Sequence, residues 1–173
     1  MKEKIIDPFN YNFYEYSLEI SQNEINQVRH FLQNIKPEEI NYCLTTFRAI
    51  DILNLPLLKN LRSQILEILD SKNLILKENW AQMYLEKGHH HDIHCHRDAA
   101  YAGIIYLEKN YEDDQAGTWF YDAYQHSDAY QFPFKEKTLI LFPGYFPHYV
   151  KPKLKDGYRV TIAFNTVINK LDE

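Results

Sequence analysis

The chain has only two cysteines, Cys43 and Cys95, far apart and outside any CxxC pair. Neither a disulfide framework nor a cysteine-based metal site is expected, and a reducing, cytoplasmic setting is the simplest reading. No apolar run approaches a membrane span, and the opening MKEKIIDPFNYNFYEY has no apolar stretch ending in small residues of the kind that directs secretion. Positive charge is also in short supply. With 19 Lys+Arg against 24 Asp+Glu, the net charge is -5 and the pI near 5.9. That balance argues against a nucleic-acid or anionic-membrane binder and leaves a small molecule or a peptide as the expected partner, with the oligomeric state open. Glycine is scarce, at five residues, so each is expected to mark a specific turn. No repeat, low-complexity tract or linker divides the sequence, and a single domain over 1–173 is expected.

Aromatic residues, by contrast, are plentiful: 14 Tyr and 10 Phe suit β-rich packing. Residues 17–35 predict a helix, with Ser21 as N-cap, Glu24 three positions on, and Ile25, Val28, Leu32 and Ile35 at helical spacing. A second helix is predicted over 55–70 from the stripe Leu58, Leu61, Ile65 and Leu69, and PEEINYC between them reads as a short helical turn. Beyond residue 73 the pattern changes to short aromatic and β-branched runs, NLILKENWAQMYL, YAGIIYLE, GTWFYDAY, KTLILFP, HYVKP and YRVTIAFNTV, punctuated by turn residues. The expected organisation is α+β, a helical part over 1–72 packed on a barrel or sandwich over 73–168.

Chemistry concentrates in HHHDIHCHRD, which holds five of the eight histidines. His89 to His91 read as a solvated loop. If 94–98 is a strand, His94, His96 and Asp98 share one face, and an HxD step can fill two neighbouring corners of an octahedral metal site. A third ligand must come from elsewhere. His30 sits in the first helix and His126 in a polar loop, whereas His148 follows the buried-looking LILFP and a Pro-Gly turn and begins a short strand. In YRVTIAFNTV, Val160, Ile162 and Phe164 share one face and Arg159, Thr161, Ala163 and Asn165 the other. An arginine on the inner face of such a strand requires an anion, and its planar fork suits a carboxylate.

Residues 78–167, with HCHRD, YAGIIYLEKN, AGTWFYD, LILFPGYFPHYVKP and DGYRVTIAFN in this order, resemble the 2-oxoglutarate and Fe(II)-dependent oxygenase superfamily, near its prolyl-hydroxylase-like and phage-type members. The resemblance implies a double-stranded β-helix (jelly-roll, cupin-like) with N-terminal helices packed on one sheet. It implies Fe(II), 2-oxoglutarate and O2 as cofactor and cosubstrates, metal ligands His96, Asp98 and His148, and a 2-oxoglutarate carboxylate held by Arg159 with Thr161 and Tyr106. It also implies hydroxylation of a C–H bond in an amino acid, peptidyl residue or small metabolite, with release of succinate and CO2. An aspartate ligand favours hydroxylation over halogenation, since halogenases of this class lack that carboxylate. A second register stays open, in which His94 and His96 align with an HxH step found in some members. Two other readings also remain: a cupin-like dioxygenase using His94, His96 and His148 without 2-oxoglutarate, and a non-catalytic jelly-roll. Arg159 with Thr161 distinguishes the first reading from both.

Overall fold

A computed structural model describes residues 3–6, 11–34, 38–40, 43–121 and 129–170. Two antiparallel sheets share one aromatic core. The larger is built from β1 (Glu3–Ile6), β2 (Phe13–Ser17), β10 (Thr138–Pro143), β7 (Tyr101–Lys109), β12 (Arg159–Ile168), β5 (Leu74–Tyr84), β4 (Cys43–Thr45) and β3 (Glu38–Ile40), in that spatial order. The smaller runs β6 (His91–His94), β11 (His148–Val150), β8 (Thr118–Phe120) and β9 (Tyr130–Phe132). Phe13, Ala102, Tyr106, Ile140 and Phe142 of the large sheet meet Phe120 and Phe132 of the small one, with Phe146 beside them.

The opposite face of the large sheet carries α1 (Gln22–Asn34) and α2 (Lys59–Ser71). Alternation sorts the strands between these layers. Val160, Ile162 and Phe164 of β12, with Ala81 and Met83 of β5, pack against Ile25, Val28, Leu32, Leu61 and Ile65 of the helices. Ser21 and Glu24 close the predicted capping box: the Glu24 amide donates to Ser21 Oγ at 3.2 Å and the Ser21 amide to Glu24 Oε2 at 2.9 Å.

The N-terminal part also contains strands. PEEINYC, read as a helical turn, instead contributes to β3 and β4, because β4 adds to the edge of β5 and that pairing outweighs local helix preference. Phe13–Ser17, within the part over 1–72 expected to be helical, pairs with β10 and sends Phe13 into the inter-sheet core. Among the described residues, no helix is long and apolar enough to cross a membrane.

Candidate active site

Strands β5 and β12 lie antiparallel, and their inward rows form rungs: Tyr84 with Arg159, Gln82 with Thr161, Trp80 with Ala163 and Glu78 with Asn165. Each polar rung is tied by its own contact. The Arg159 guanidinium carbon lies 3.9 Å from the Tyr84 ring centre, Thr161 Oγ1 donates to Gln82 Oε1 at 3.4 Å, and Asn165 Nδ2 donates to Glu78 Oε1 at 2.8 Å.

Histidines from the small sheet face this floor. One ligand nitrogen each from His94, His96 and His148 lie within 4.8 Å of one another. His148 is buried at the start of β11 and its Nδ1 donates to the Phe146 carbonyl at 3.0 Å; Nδ1 of His94 likewise donates to the Asp92 carbonyl at 2.8 Å. A carbonyl can only accept, so both rings carry their proton on Nδ1 and keep the Nε2 lone pair for a metal. His96 is set by its backbone, whose amide donates to the Gly144 carbonyl at 2.7 Å. A Cβ on Gly144 would lie 2.4 Å from the Ala99 carbonyl oxygen and 2.8 Å from that of His96, so only glycine permits this approach. Asn165 Nδ2 stands 3.3 Å from His96 Nδ1.

Asp98 is not brought to this cluster. Strand β6 ends at His94, and the chain turns over 96–99, where the Ala99 amide donates to the His96 carbonyl at 3.0 Å. Strand alternation therefore does not extend to Asp98, whose side chain is 89% exposed and lies 3.7 Å from Lys77 Nζ. The grouping differs from the HxD expectation in this one member, with His94 standing where Asp98 was expected.

Arg159 is 2% exposed. It donates from Nη1 to the Ala116 carbonyl, while its Nε and Nη2 are buried with no hydrogen-bond partner among the described residues. A buried cation with two unused donors is costly unless an anion meets it, and a carboxylate fits that fork. The Tyr106 hydroxyl donates to Thr118 Oγ1 at 2.7 Å, next to Thr161 in the sheet register. The Tyr111 hydroxyl is also buried without a partner among the described residues; burial raises its pKa and the nearby Arg159 charge opposes that rise. Arg159 and Ala163 are four residues apart on one strand, about 13 Å at about 3.3 Å per residue. Ala163 lines the narrow cavity beside His94, His96 and His148.

Residues 78–165 match the family model described as "Putative 2OG-Fe(II) oxygenase". The chain belongs to the 2OG-Fe(II) oxygenase family. This oxygenase accordingly works with Fe(II), 2-oxoglutarate and O2. No curated protein matches it in sequence. Solved structures of similar shape include HygX from Streptomyces hygroscopicus with nickel, 2-oxoglutarate and hygromycin B bound (TM-score 0.69, 11% identity, 94% of this chain and 85% of that one). A Trichoplax adhaerens prolyl hydroxylase in complex with a hypoxia inducible factor peptide gives 0.65 at 16% identity, covering 92% and 86%. A Pseudomonas putida prolyl-4-hydroxylase gives 0.61 at 15% identity, covering 92% and 95%. At these identities the likeness is one of fold, and it identifies the two sheets and their buttressing helices as the double-stranded β-helix expected from the sequence.

Two of the histidines read as solvated loop are not. His89 is buried, and its Nδ1 accepts the Leu85 amide at 3.2 Å, closing the turn between β5 and β6. His91 lies beside the histidine cluster, its ring stacked on that of His94 at 4.2 Å and its Nδ1 3.2 Å from Gln82 Nε2. A register shift in the β6–β11 pairing, with His148 opposite His94 but Val150 opposite His91, turns two histidines three apart toward one side. No sequence signal marks that bulge. His30 lies on an exposed face of α1, and His126 lies outside the described residues.

Burial lowers the pKa of all four clustered histidines, to about 3 for His91 and about 4 for His96, with the neighbouring rings adding to the effect for His91, His96 and His148. They stand neutral, the form that binds metal. In the unfolded chain each returns to its ordinary value near 6.5, so below that value the unfolded state binds more protons, for His96 down to about 4 and for His91 to about 3. The metal-free oxygenase therefore keeps this stability above pH 6.5 and loses it as pH falls, at up to about 1.4 kcal/mol per pH unit for each histidine. Urea midpoints in chelator at pH 7.5, 6 and 5 check this; a flat profile contradicts it.

Proposed function

We propose that the enzyme is a dioxygenase that hydroxylates a C–H bond of an amino acid, peptidyl residue or small metabolite, with His94, His96 and His148 holding Fe(II) and Arg159 anchoring 2-oxoglutarate. The observation that carries this reading is Arg159: a buried guanidinium with two unused donors among the described residues, on the inner row of β12 that the histidine cluster faces. Three neutral imidazoles suit a divalent ion, and the carbonyl-bound Nδ1 atoms of His94 and His148 hold their Nε2 atoms inward. Bound there, Fe(II) supplies O2 activation coupled to oxidative decarboxylation of 2-oxoglutarate, yielding succinate and CO2 and leaving one oxygen atom in the substrate.

The chain's own contributions are positional. Arg159 receives the distal carboxylate, with Thr161 and the Tyr106–Thr118 pair beside it. The Gln82–Thr161 pair, with His91 on Gln82, ties that anchor to the histidines. The aromatic core between the sheets keeps water from the far side. Without Asp98 in the set, an aspartate ligand no longer favours hydroxylation over halogenation; hydroxylation is favoured here because a third histidine, His94, would hold the metal where a halogenase would leave a place for halide. Cys43 and Cys95 form no disulfide, in keeping with a reducing, cytoplasmic setting, and the acidic balance is in keeping with a small-molecule or peptide substrate over a nucleic acid.

Anaerobic calorimetry with Fe(II) followed by 2-oxoglutarate, then aerobic measurement of O2 uptake and succinate, tests the reading. One Fe(II) per chain, 2-oxoglutarate binding that depends on it, and succinate formed in step with O2 uptake are expected. Oxygen uptake without succinate would instead indicate a three-histidine dioxygenase of the cupin type, and neither binding nor uptake a non-catalytic module.

A further inference from the structure

A second cavity opens onto the histidine cluster from the β4 side, with a volume of about 250 Å³. Its walls are Cys43 and Thr45 of β4, Phe47, Trp80 and Gln82 of β5, and His91, His94 and His96. Strand alternation builds it: Cys43 and Thr45 turn inward and are buried, while Leu44 between them packs toward the helices. Phe47 meets Trp80 edge-on at 4.8 Å, and Trp80 in turn lies 6.0 Å from His96, so two aromatic rings lead from the opening to the candidate metal ligands.

The distribution of charge around this cavity is one-sided. Among the described residues, none of its walls is Asp, Glu, Lys or Arg. The nearby charged groups Arg48, Asp51, Lys77 and Glu78 line a separate depression, of which Trp80 is also a wall. A charged group placed in the inner cavity would lose water and find no counter-ion on its walls, whereas an apolar group would gain from the aromatic surface. The volume lies below the roughly 300–1,000 Å³ typical of pockets that enclose a whole drug-sized ligand. It suits one side-chain-sized group.

We propose, resting on the iron site assigned above, that this cavity is the substrate pocket and that the oxidised carbon belongs to an uncharged, largely apolar group of side-chain size. Phe47 and Trp80 are its specificity-determining walls. The Arg159 side of the cluster is left to the cosubstrate, so the two molecules approach the metal from different directions.

The chain has two tryptophans, so a Trp119→Phe background leaves Trp80 as the only indole and as a reporter on the cavity wall. N-acetyl-L-leucinamide, N-acetyl-L-glutamic acid amide and N-acetyl-L-lysinamide are titrated into the full chain, without metal and again anaerobically with Fe(II) and 2-oxoglutarate. The leucine probe is expected to change Trp80 emission saturably, with a midpoint at least tenfold below those of both charged probes. Phe47→Ala is expected to raise the leucine midpoint about tenfold, and Thr45→Phe, which fills the cavity, to abolish the response. Because Phe47 is only partly buried, its variant serves if Thr45→Phe does not fold. No saturable response to leucine, an equal or stronger response to a charged probe, or a midpoint unmoved by Phe47→Ala overturns the proposal. A chain that binds the leucine probe but neither Fe(II) nor 2-oxoglutarate keeps the pocket and loses the functional reading, so the two failures are told apart.

Discussion

His94→Ala is expected to abolish Fe(II) binding, whereas Asp98→Ala leaves it within a few-fold of the wild type. The contrast follows from where the chain turns. His94 is the last residue of β6, opposite His148 in the sheet, with its Nδ1 proton held by the Asp92 carbonyl. Asp98 is four residues further on, past the strand end, and projects into solvent near Lys77. Bringing its carboxylate to the cluster would require opening the 96–99 turn and breaking the close packing of His96 and Ala99 on Gly144. An exposed ion pair such as Lys77–Asp98 contributes little, so Asp98→Ala has no second route to a large effect. Groups that merely orient a ligand cost roughly 10–100-fold in metal affinity when removed, so loss of a ligand itself is expected to exceed roughly 100-fold. Anaerobic Fe(II) titrations of the two variants, with His148→Ala as a positive control, decide it. Loss of binding in Asp98→Ala with retention in His94→Ala would restore the HxD set of His96, Asp98 and His148.

The reason both registers were open in the sequence is physical. Alternation along a strand is a reliable guide only while the strand lasts, and nothing in IHCHRD marks its end at His94. The same rule works well where the strand is long and doubly paired. Across β12, between β5 and β7, the division of Val160, Ile162 and Phe164 from Arg159, Thr161, Ala163 and Asn165 is the one the sequence predicts. Both helices were legible for a similar reason, since their apolar stripes span several turns and the Ser21–Glu24 box marks one start. What the sequence hid is tertiary. The β6 bulge turns His91 inward, the β4–β5 pairing carries Cys43 and Thr45 to the cavity, and Gly144 gives His96 its place. Each depends on a partner strand or turn distant in sequence, which no local pattern records.

Arg159→Met is expected to separate the cosubstrate from the metal: 2-oxoglutarate binding falls by about 100-fold or more while Fe(II) affinity is unchanged. Two charge-assisted hydrogen bonds, each of about 1.5–3 kcal/mol, underlie that estimate. Methionine keeps an apolar side chain against Tyr84 but offers no donor. Arg159→Lys falls between the two, because an ammonium is a point charge and cannot reproduce the fork. A second readout distinguishes a cosubstrate anchor from a purely structural arginine. In the absence of 2-oxoglutarate, Nε and Nη2 of Arg159 are buried donors without partners among the described residues, so the methionine variant unfolds at the same or a higher temperature than the wild type. With 2-oxoglutarate at about 100 times its dissociation constant, the wild type gains about 2.7 kcal/mol and overtakes the variant, which gains almost nothing. A variant that is destabilised by the same amount with and without 2-oxoglutarate would instead make Arg159 a structural residue, holding the Ala116 carbonyl and the Tyr84 ring in place. The crossing of the two melting curves as 2-oxoglutarate is added is therefore the signature of an anion site built into β12 and kept dry by the fold.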